Sequence, residues 1–295
     1  MNKVIVILGP TNVGKTKLSV SLAKEFNGEV INADSMQFYK DLDIGTAKIK
    51  EEEKEGITHH LFDILDVCQN YSIYDYQIMG REVIDNCFKR RKTPIVVGGT
   101  GLYIKALLYD YKLSKSTINN TYDELSTKDI YNKLVQLDKN INIDKNNRPR
   151  LIRALNYYLE NNSSISKNVT DKLLYDTIFI GLTSSRDILY NKINERVDKM
   201  IEEGLVDEVK SLYTYKDKSK ALKNGIGYKE IISYLDNDIS LDQAIQKIKQ
   251  NSRRYAKRQM TFFRNKLNVK WFNTSYEDFN KTINEVIDYI RRVGL

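Results

Sequence analysis

The apolar run Val4-Ile5-Val6-Ile7-Leu8 passes directly into Gly9-Pro10-Thr11-Asn12-Val13-Gly14-Lys15-Thr16, and nothing else in the chain restricts the fold as much. An unbroken, largely β-branched run without alternation suits a strand covered on both faces, as in a parallel sheet. The eight residues after it have the glycine, lysine and threonine spacing of a phosphate-binding loop. Glycines there let backbone N–H groups curl around phosphate oxygens at the N-terminus of the following helix. Lys15 offers a point charge to the terminal phosphates, and the Thr16 hydroxyl can ligate Mg²⁺. The helix itself is legible from Val13 to Phe26, with Leu18, Leu22 and Phe26 at helical spacing. This strand–loop–helix context argues against an ordinary glycine-bearing turn. The loop holds phosphate, but its residues do not say whose.

The rest of the first hundred residues repeats the alternation: a strand over Glu29 to Ala33, a helix over Tyr74 to Phe88, and a strand over Pro94 to Val97. The fold class is therefore α/β, a P-loop NTPase-like parallel sheet with right-handed crossovers. The character changes after Tyr111. Polar stretches over Lys112 to Asn120, Asn140 to Asn147 and Asn161 to Asn168 separate two helical segments, one around Leu125 to Leu137 and one from Pro149 to about Leu159. Residues 112–172 thus read as a mostly helical, short insertion domain, and 1–111 with 173–295 as the core. Strand character resumes over Thr177 to Leu182. The remainder reads as helical: one long amphipathic segment from Ile188 to Leu212, a second from Ile245 to Phe263 and a last from Phe279 to Val293.

At 295 residues with 41% hydrophobic and 29% charged side chains, the chain can bury a proper core. It has no apolar run of eighteen residues, and its apolar start is too short for a signal peptide, so a soluble cytoplasmic protein away from membranes is expected. Cys68 and Cys87 cannot make a disulfide scaffold and show no paired metal-site spacing; both read as packing residues of a reducing compartment. The net charge of +8, from 47 Lys+Arg against 39 Asp+Glu, is compatible with a polyanionic partner.

Four further features carry chemistry. Asp34, just past the second strand, sits where the carboxyl ends of a parallel sheet open onto a ligand crevice. It could be a Mg²⁺ ligand, a general base or simply a helix cap. The strand Ile95-Val96-Val97 ends in Gly98-Gly99-Thr100-Gly101-Leu102-Tyr103, a flexible backbone with a hydroxyl where a nucleotide hydrolase keeps a carboxylate, which argues against ATP hydrolysis. Between Lys247 and Lys266 lie eight basic residues and no acidic one, interleaved with Tyr255, Phe262 and Phe263. Helical spacing turns Ile248, Tyr255, Met260 and Phe263 inward and leaves a basic outer surface suited to backbone phosphates. Arg148, Arg150 and Arg153 form a second basic cluster at the edge of the insertion. By contrast, His59 and His60 are sequence neighbours that point different ways, with no partner spacing for a metal. Glu51 to Glu55 reads as a solvated turn and Trp271 as packing.

Together GPTNVGKT (9–16), INADSMQFYKDLDIGTAK (31–48), HHLFD (59–63), GGTGLY (98–103), RPRLIRAL (148–155), ERVDKMIEEGLVDEV (195–209), GIGYKE (225–230) and YAKRQMTFFR (255–264) resemble the tRNA dimethylallyltransferase family over nearly the whole chain. The resemblance implies transfer of a dimethylallyl group from dimethylallyl diphosphate to N6 of adenosine 37, beside the anticodon of tRNA, by a monomeric, Mg²⁺-dependent enzyme. It implies that Asp34 accepts the amine's proton and that Thr100 hydrogen-bonds the bridging oxygen. The loop residues Gly9, Pro10, Thr11, Asn12, Val13, Gly14, Lys15 and Thr16, with Arg196, would hold the diphosphate, Thr16 also ligating Mg²⁺. Adenine inside a stacked loop is out of reach, so it would be flipped into the pocket to meet Asp34, Ser35, Met36, Gln37 and Thr100. Pro149, Arg150, Leu151, Ile152 and Arg153, with Arg253, Arg254, Lys257 and Arg258, would grip the RNA. The chain departs from the family at Asn156, where Glu is usual, at Phe262 in place of Trp, and in lacking an Arg near Tyr122 to Leu125. The competing expectation is a small-molecule kinase that binds ATP at the loop and closes Arg148, Arg150 and Arg153 over it as a lid.

Overall fold

In chain order the first part of the core is built from β1 (Lys3–Leu8), α1 (Lys15–Glu25), β2 (Gly28–Asn32), α2 (Glu51–Lys54), β3 (His59–His60), α3 (Ile73–Lys89), β4 (Thr93–Gly98) and α4 (Gly101–Leu108). Next come β5 (Tyr109–Tyr111), α5 (Thr127–Leu137), α6 (Arg148–Asn161) and β6 (Val169–Leu173). The chain then completes the core with β7 (Asp176–Thr183), α7 (Arg186–Glu202), α8 (Leu205–Ser211), α9 (Lys220–Asn224), α10 (Tyr228–Leu235), α11 (Leu241–Lys266), β8 (Lys270–Asn273) and α12 (Phe279–Arg292). These elements come from a computed structural model that describes residues 3–113, 122, 124–164 and 169–295.

Six strands form one parallel sheet in the order β3-β2-β4-β1-β7-β8. The β1 strand is central, and Val4 to Leu8 are fully buried, as an apolar run without alternation requires. Leu18 and Leu22 of α1 and Ile283, Val286 and Ile290 of α12 join Ile5 and Ile7 in one apolar cluster. Burying each such side chain contributes about 1.5–3 kcal/mol. A second cluster packs Val197 and Met200 of α7 against Leu205 and Val209 of α8, Tyr228 of α10 and Ile248 of α11. That cluster fixes α7 and α11 over the carboxyl ends of the strands. Ser72 and Asp75 close a reciprocal capping box at the start of α3, and Ser240 with Gln243 does the same for α11.

The chain divides into two compact units, 1–107 with 175–295 and 108–174. In the smaller one α5 and α6 pack through Ile130, Leu134, Leu151 and Leu155, with Tyr122 against them. This unit is not only helical, because β5 and β6 pair antiparallel and extend it to either side of 112–172. The polar stretches 112–120 and 161–168 fall partly outside the described residues.

Three expectations change. The single segment over 188–212 is two helices, because Gly204 adopts a left-handed conformation (φ 101°) that ends α7 and starts α8 in a new direction. The C-terminal part is not wholly helical: Lys270-Trp271-Phe272-Asn273 adds the sheet's edge strand β8 beside β7. Cys87 is buried, as expected, whereas Cys68 is exposed. Among the described residues no helix is long and apolar enough to cross a membrane.

Candidate active site

The loop Gly9 to Thr16, expected from the sequence to bind phosphate, joins β1 to α1, and its shape is set by neighbours as much as by its own sequence. Gly9 has φ 151°, and a Cβ there would lie 2.6 Å from the Leu182 carbonyl oxygen of β7. Gly14, at φ 88°, starts α1, and its Cβ would strike the Phe279 ring of α12 at 2.4 Å. Asn12 is also left-handed (φ 66°), and its carbonyl accepts from the Tyr276 hydroxyl at 3.2 Å. Buried Val13 and Pro10 anchor the loop while Thr16 stays exposed on the first turn of α1. Lys15 donates to the carbonyls of Pro10 (2.7 Å) and Gly9 (3.1 Å), folding its ammonium into the loop. Burial pushes that ammonium down to about 8; Asp34 pulls it up and Arg196 repels it. Arg196, from α7, donates to the Thr11 hydroxyl and to the Thr46 carbonyl (3.2 Å). Burial lowers its pKa too, against the pull of Asp34.

Asp34 follows β2 and is held by its own turn. Its N–H donates to Asn32 Oδ1 at 2.8 Å, and its Oδ1 accepts from the Met36 N–H at 3.1 Å. No helix starts at Asp34, so it is not a helix cap; one of its oxygens closes a turn instead. The other, Oδ2, faces Gly99, whose added Cβ would lie 3.9 Å away. Asn32 is itself fixed, donating to the Leu61 carbonyl at 2.9 Å. On the neighbouring strand end, Thr100 donates its N–H to the Ala33 carbonyl (3.3 Å), and its hydroxyl oxygen accepts from the Ser35 N–H (3.4 Å). Asp34 and Thr100 are therefore stitched together across the ends of β2 and β4.

The Gly98 to Gly101 run is packed rather than flexible, which corrects the expectation from its composition. A Cβ on Gly98 would come within 2.3 Å of the Ala33 backbone, one on Gly99 within 2.1 Å of Gln259 Nε2, and one on Gly101 within 2.2 Å of the Phe262 ring. Gln259, buried on α11, donates to the Gly99 carbonyl at 3.0 Å, and its Oε1 is buried without a hydrogen-bond partner. One turn earlier, the Tyr255 hydroxyl bonds with Thr100 and Gln259; burial, followed by the Asp34 charge, pushes it up to about 12, so it stays protonated. Sequence reasoning places Tyr255 in the core and passes over Gln259. Their i, i+4 spacing on α11 is the available signal. It also passes over Glu208, which accepts from the N–H groups of Asp43 (3.0 Å), Ile44 (2.6 Å) and Gly45 (3.1 Å) and from the Tyr228 hydroxyl, holding the 43–47 loop against Arg196.

Of the residues expected to meet a base, Ser35 and Met36 line the turn, while the Gln37 side chain donates to the Thr46 carbonyl at 3.2 Å. On the basic helix, Arg254, Lys257 and Arg258 are exposed as the spacing predicts. Arg253 is not part of that outer face: it donates to Asn194 Oδ1 (2.5 Å) and lies over the Tyr190 ring, both on α7. Lys249 likewise turns to Asp198 at 2.6 Å. In the smaller unit, Pro149, Arg150 and Arg153 are not buried, but Leu151 is, so its side chain builds the core of that unit instead of touching RNA; Ile152 packs partly against the same core. Arg148 donates to the carbonyls of Leu125 (2.6 Å) and Tyr122 (2.8 Å), which removes it from an arginine lid.

The sequence pattern described as IPP transferase matches residues 37–266, and one described as isopentenyl transferase matches 2–67. A tRNA dimethylallyltransferase of Anoxybacillus flavithermus is 46% identical over 298 residues, covering 98% of this chain and 96% of the relative. The chain belongs to the tRNA dimethylallyltransferase family. The solved tRNA isopentenylpyrophosphate transferase of Bacillus halodurans is 43% identical with a TM-score of 0.77, covering 99% of this chain and 96% of that one. A eukaryotic dimethylallyltransferase acting on tRNA is 32% identical with a TM-score of 0.87, over 98% of this chain and 80% of that one. Family membership sets aside the kinase expectation. It also agrees with a strand end that carries Thr100 in place of a hydrolase carboxylate.

Proposed function

We propose that the chain transfers the dimethylallyl group of dimethylallyl diphosphate to the exocyclic N6 of adenosine 37 in tRNA. The observation that carries this reading is the placement of Asp34 Oδ2 beside the Gly99–Thr100 turn, with the cations Lys15 and Arg196 close enough to act on Asp34. In the reaction N6 attacks the allylic C1, and the C1–O bond breaks with its electron pair passing to the bridging oxygen. The amine is a poor nucleophile, because its lone pair is delocalised into the ring. Asp34 Oδ2 accepts its proton as attack proceeds. The Thr100 hydroxyl accepts from the Ser35 N–H and bonds with the Tyr255 hydroxyl, and its hydrogen would turn from Tyr255 to the bridging oxygen as charge grows there. Lys15, Arg196 and the loop N–H groups take the diphosphate's growing charge.

Mg²⁺ fits the residues present. Thr16 is an exposed hydroxyl on the first turn of α1, and a hard cation that keeps several waters suits one such ligand shared with substrate phosphates. Thr16 would hold the ion, which when bound would neutralise part of the diphosphate charge. The exposed Arg254, Lys257 and Arg258, with Arg150 and Arg153, would meet RNA phosphates. The test supplies labelled dimethylallyl diphosphate, Mg²⁺ and unmodified tRNA with adenosine at position 37. Label should enter the RNA and be lost when that base is changed. Absence of label, with ATP consumed on small acceptors, would overturn the reading in favour of phosphoryl transfer.

A further inference from the structure

Away from the phosphate loop, β2, β3 and α3 bring together three metal-ligating side chains that are far apart in sequence. Glu29 lies on β2, next to the edge strand β3, and is only 4% exposed. Its Oε2 lies 2.7 Å from His60 Nε2 on β3 and 3.6 Å from Cys87 Sγ on α3. The three ligand atoms all lie within 4.8 Å of one another. A guanidinium already fills the cationic position among them: Arg90 Nη1 and Nη2 donate to Oε1 (2.5 Å) and Oε2 (2.7 Å), with Nη2 4.0 Å from Cys87 Sγ.

We propose that Glu29, His60 and Cys87 form a site for a thiophilic divalent cation of the Zn²⁺ class, which binds by displacing the Arg90 side chain. Geometry supports this. Metal–ligand bonds of about 2.0–2.3 Å put tetrahedral ligand pairs about 3.3–3.5 Å apart, close to the existing sulfur–oxygen separation. The site is also reachable. The Arg90 side chain is half-exposed, and a surface cavity of about 390 Å³ lined by His60, Val83, Asn86, Lys89 and Arg90 gives the guanidinium somewhere to go. Charge balances. The pair of buried carboxylate and half-exposed guanidinium is neutral, and so is a divalent ion with one carboxylate and one thiolate. On binding, the Cys87 thiol gives its proton to water, bonds form from the ion to Sγ, Nε2 and a Glu29 oxygen, and water takes the fourth position. Sulfur and imidazole ligands select Zn²⁺ and Co²⁺ over Mg²⁺, which separates this site from the hydroxyl at Thr16.

The test adds Co²⁺ alone to the full chain and follows the thiolate-to-cobalt charge-transfer absorption. One equivalent should produce the band, Zn²⁺ should bleach it and Mg²⁺ should not. Arg90→Ala should bind at least tenfold more tightly, because the competing cation is gone, and His60→Gln at least tenfold more weakly. Cys87→Ser should abolish the band while Cys68→Ser retains it. A band absent from both the wild type and Arg90→Ala, or one that survives Cys87→Ser, would overturn the proposal. A measurement independent of cysteine variants is the melting temperature of Arg90→Ala, which should fall below wild type and rise again with Zn²⁺. No rise would also overturn it.

Discussion

Lys15 should make the protein's affinity for its diphosphate fall with pH in a range where an ordinary lysine would not. Burial, opposed by Asp34 and assisted by Arg196, brings its ammonium from the usual 10.5 to about 8. A bound diphosphate places negative charge against Nζ and restores the protonated form, so above pH 8 binding must draw one proton from solvent. Affinity should then drop about tenfold per pH unit, to roughly 300-fold between pH 8 and 10.5, which is about 3 kcal/mol. The same group acts on stability with the opposite sign. Below pH 8 both folded and unfolded chains carry the proton, and the cost of burying the charge is fully present. Between 8 and 10.5 the unfolded chain binds more protons, so this residue's contribution rises with pH by about the same 3 kcal/mol. Titration calorimetry at pH 9 without metal, in two buffers of different protonation enthalpy, reads the proton directly. Dimethylallyl diphosphate is a suitable ligand because its own last phosphate proton is lost near pH 6. One proton should be taken up per ligand by the wild type and none by Lys15→Met. Equal uptake by the two proteins, or an affinity that stays flat from pH 8 to 10, would refute this account of Lys15.

Other consequences can be checked with the same assays. Asp34→Asn should cut turnover by about 10²–10⁴-fold while tRNA affinity changes little; equal loss of both would remove the general-base role. Thr100→Val should lower turnover by about 10²–10³-fold, with Thr100→Ser retaining most of it, as expected for a hydrogen-bond donor to a leaving oxygen. Gly98→Ala forces a methyl group to within 2.3 Å of the Ala33 backbone. Melting should show a loss of about 1–3 kcal/mol, with activity falling as Asp34 and Thr100 are pushed apart. Replacing Arg254, Lys257 and Arg258 by alanine should flatten the salt dependence of tRNA binding by about 2–3 in log–log slope, whereas Arg253→Ala should leave that slope unchanged.

Much of this site is legible in the amino-acid sequence because its parts are local. The phosphate loop is one contiguous segment that follows an apolar strand. Asp34 and Thr100 each sit one or two residues past a strand whose composition marks it as buried. What the sequence hides depends on contacts between distant elements. Gly204 resembles any glycine in an amphipathic run until its left-handed φ shows that two helices meet there. The β8 strand is four residues with only Phe272 buried, so it has neither the length nor the alternation that marks a strand. Arg253 and Lys249 belong to a uniformly basic helix by composition, and only the packing of α11 on α7 separates them from the solvent-facing residues. The Glu29, His60 and Cys87 cluster has no spacing signal at all, since its members come from two strands and a helix.

The packing of Gly98 to Gly101 explains why this strand end carries no carboxylate. Backbone from the end of β2, the amide of Gln259 and the ring of Phe262 occupy the space where side chains at Gly98, Gly99 and Gly101 would lie. An acidic residue at any of these positions would displace backbone or α11, so the strand end cannot carry the carboxylate a nucleotide hydrolase uses. Thr100 is the one position in the run with room for a side chain, and its hydroxyl is tied to the turn that holds Asp34. The result is a site with cations at the loop and the Asp34 carboxylate beside the strand ends. Such an arrangement favours chemistry in which an intact diphosphate departs. A second carboxylate at that strand end would repel the departing group.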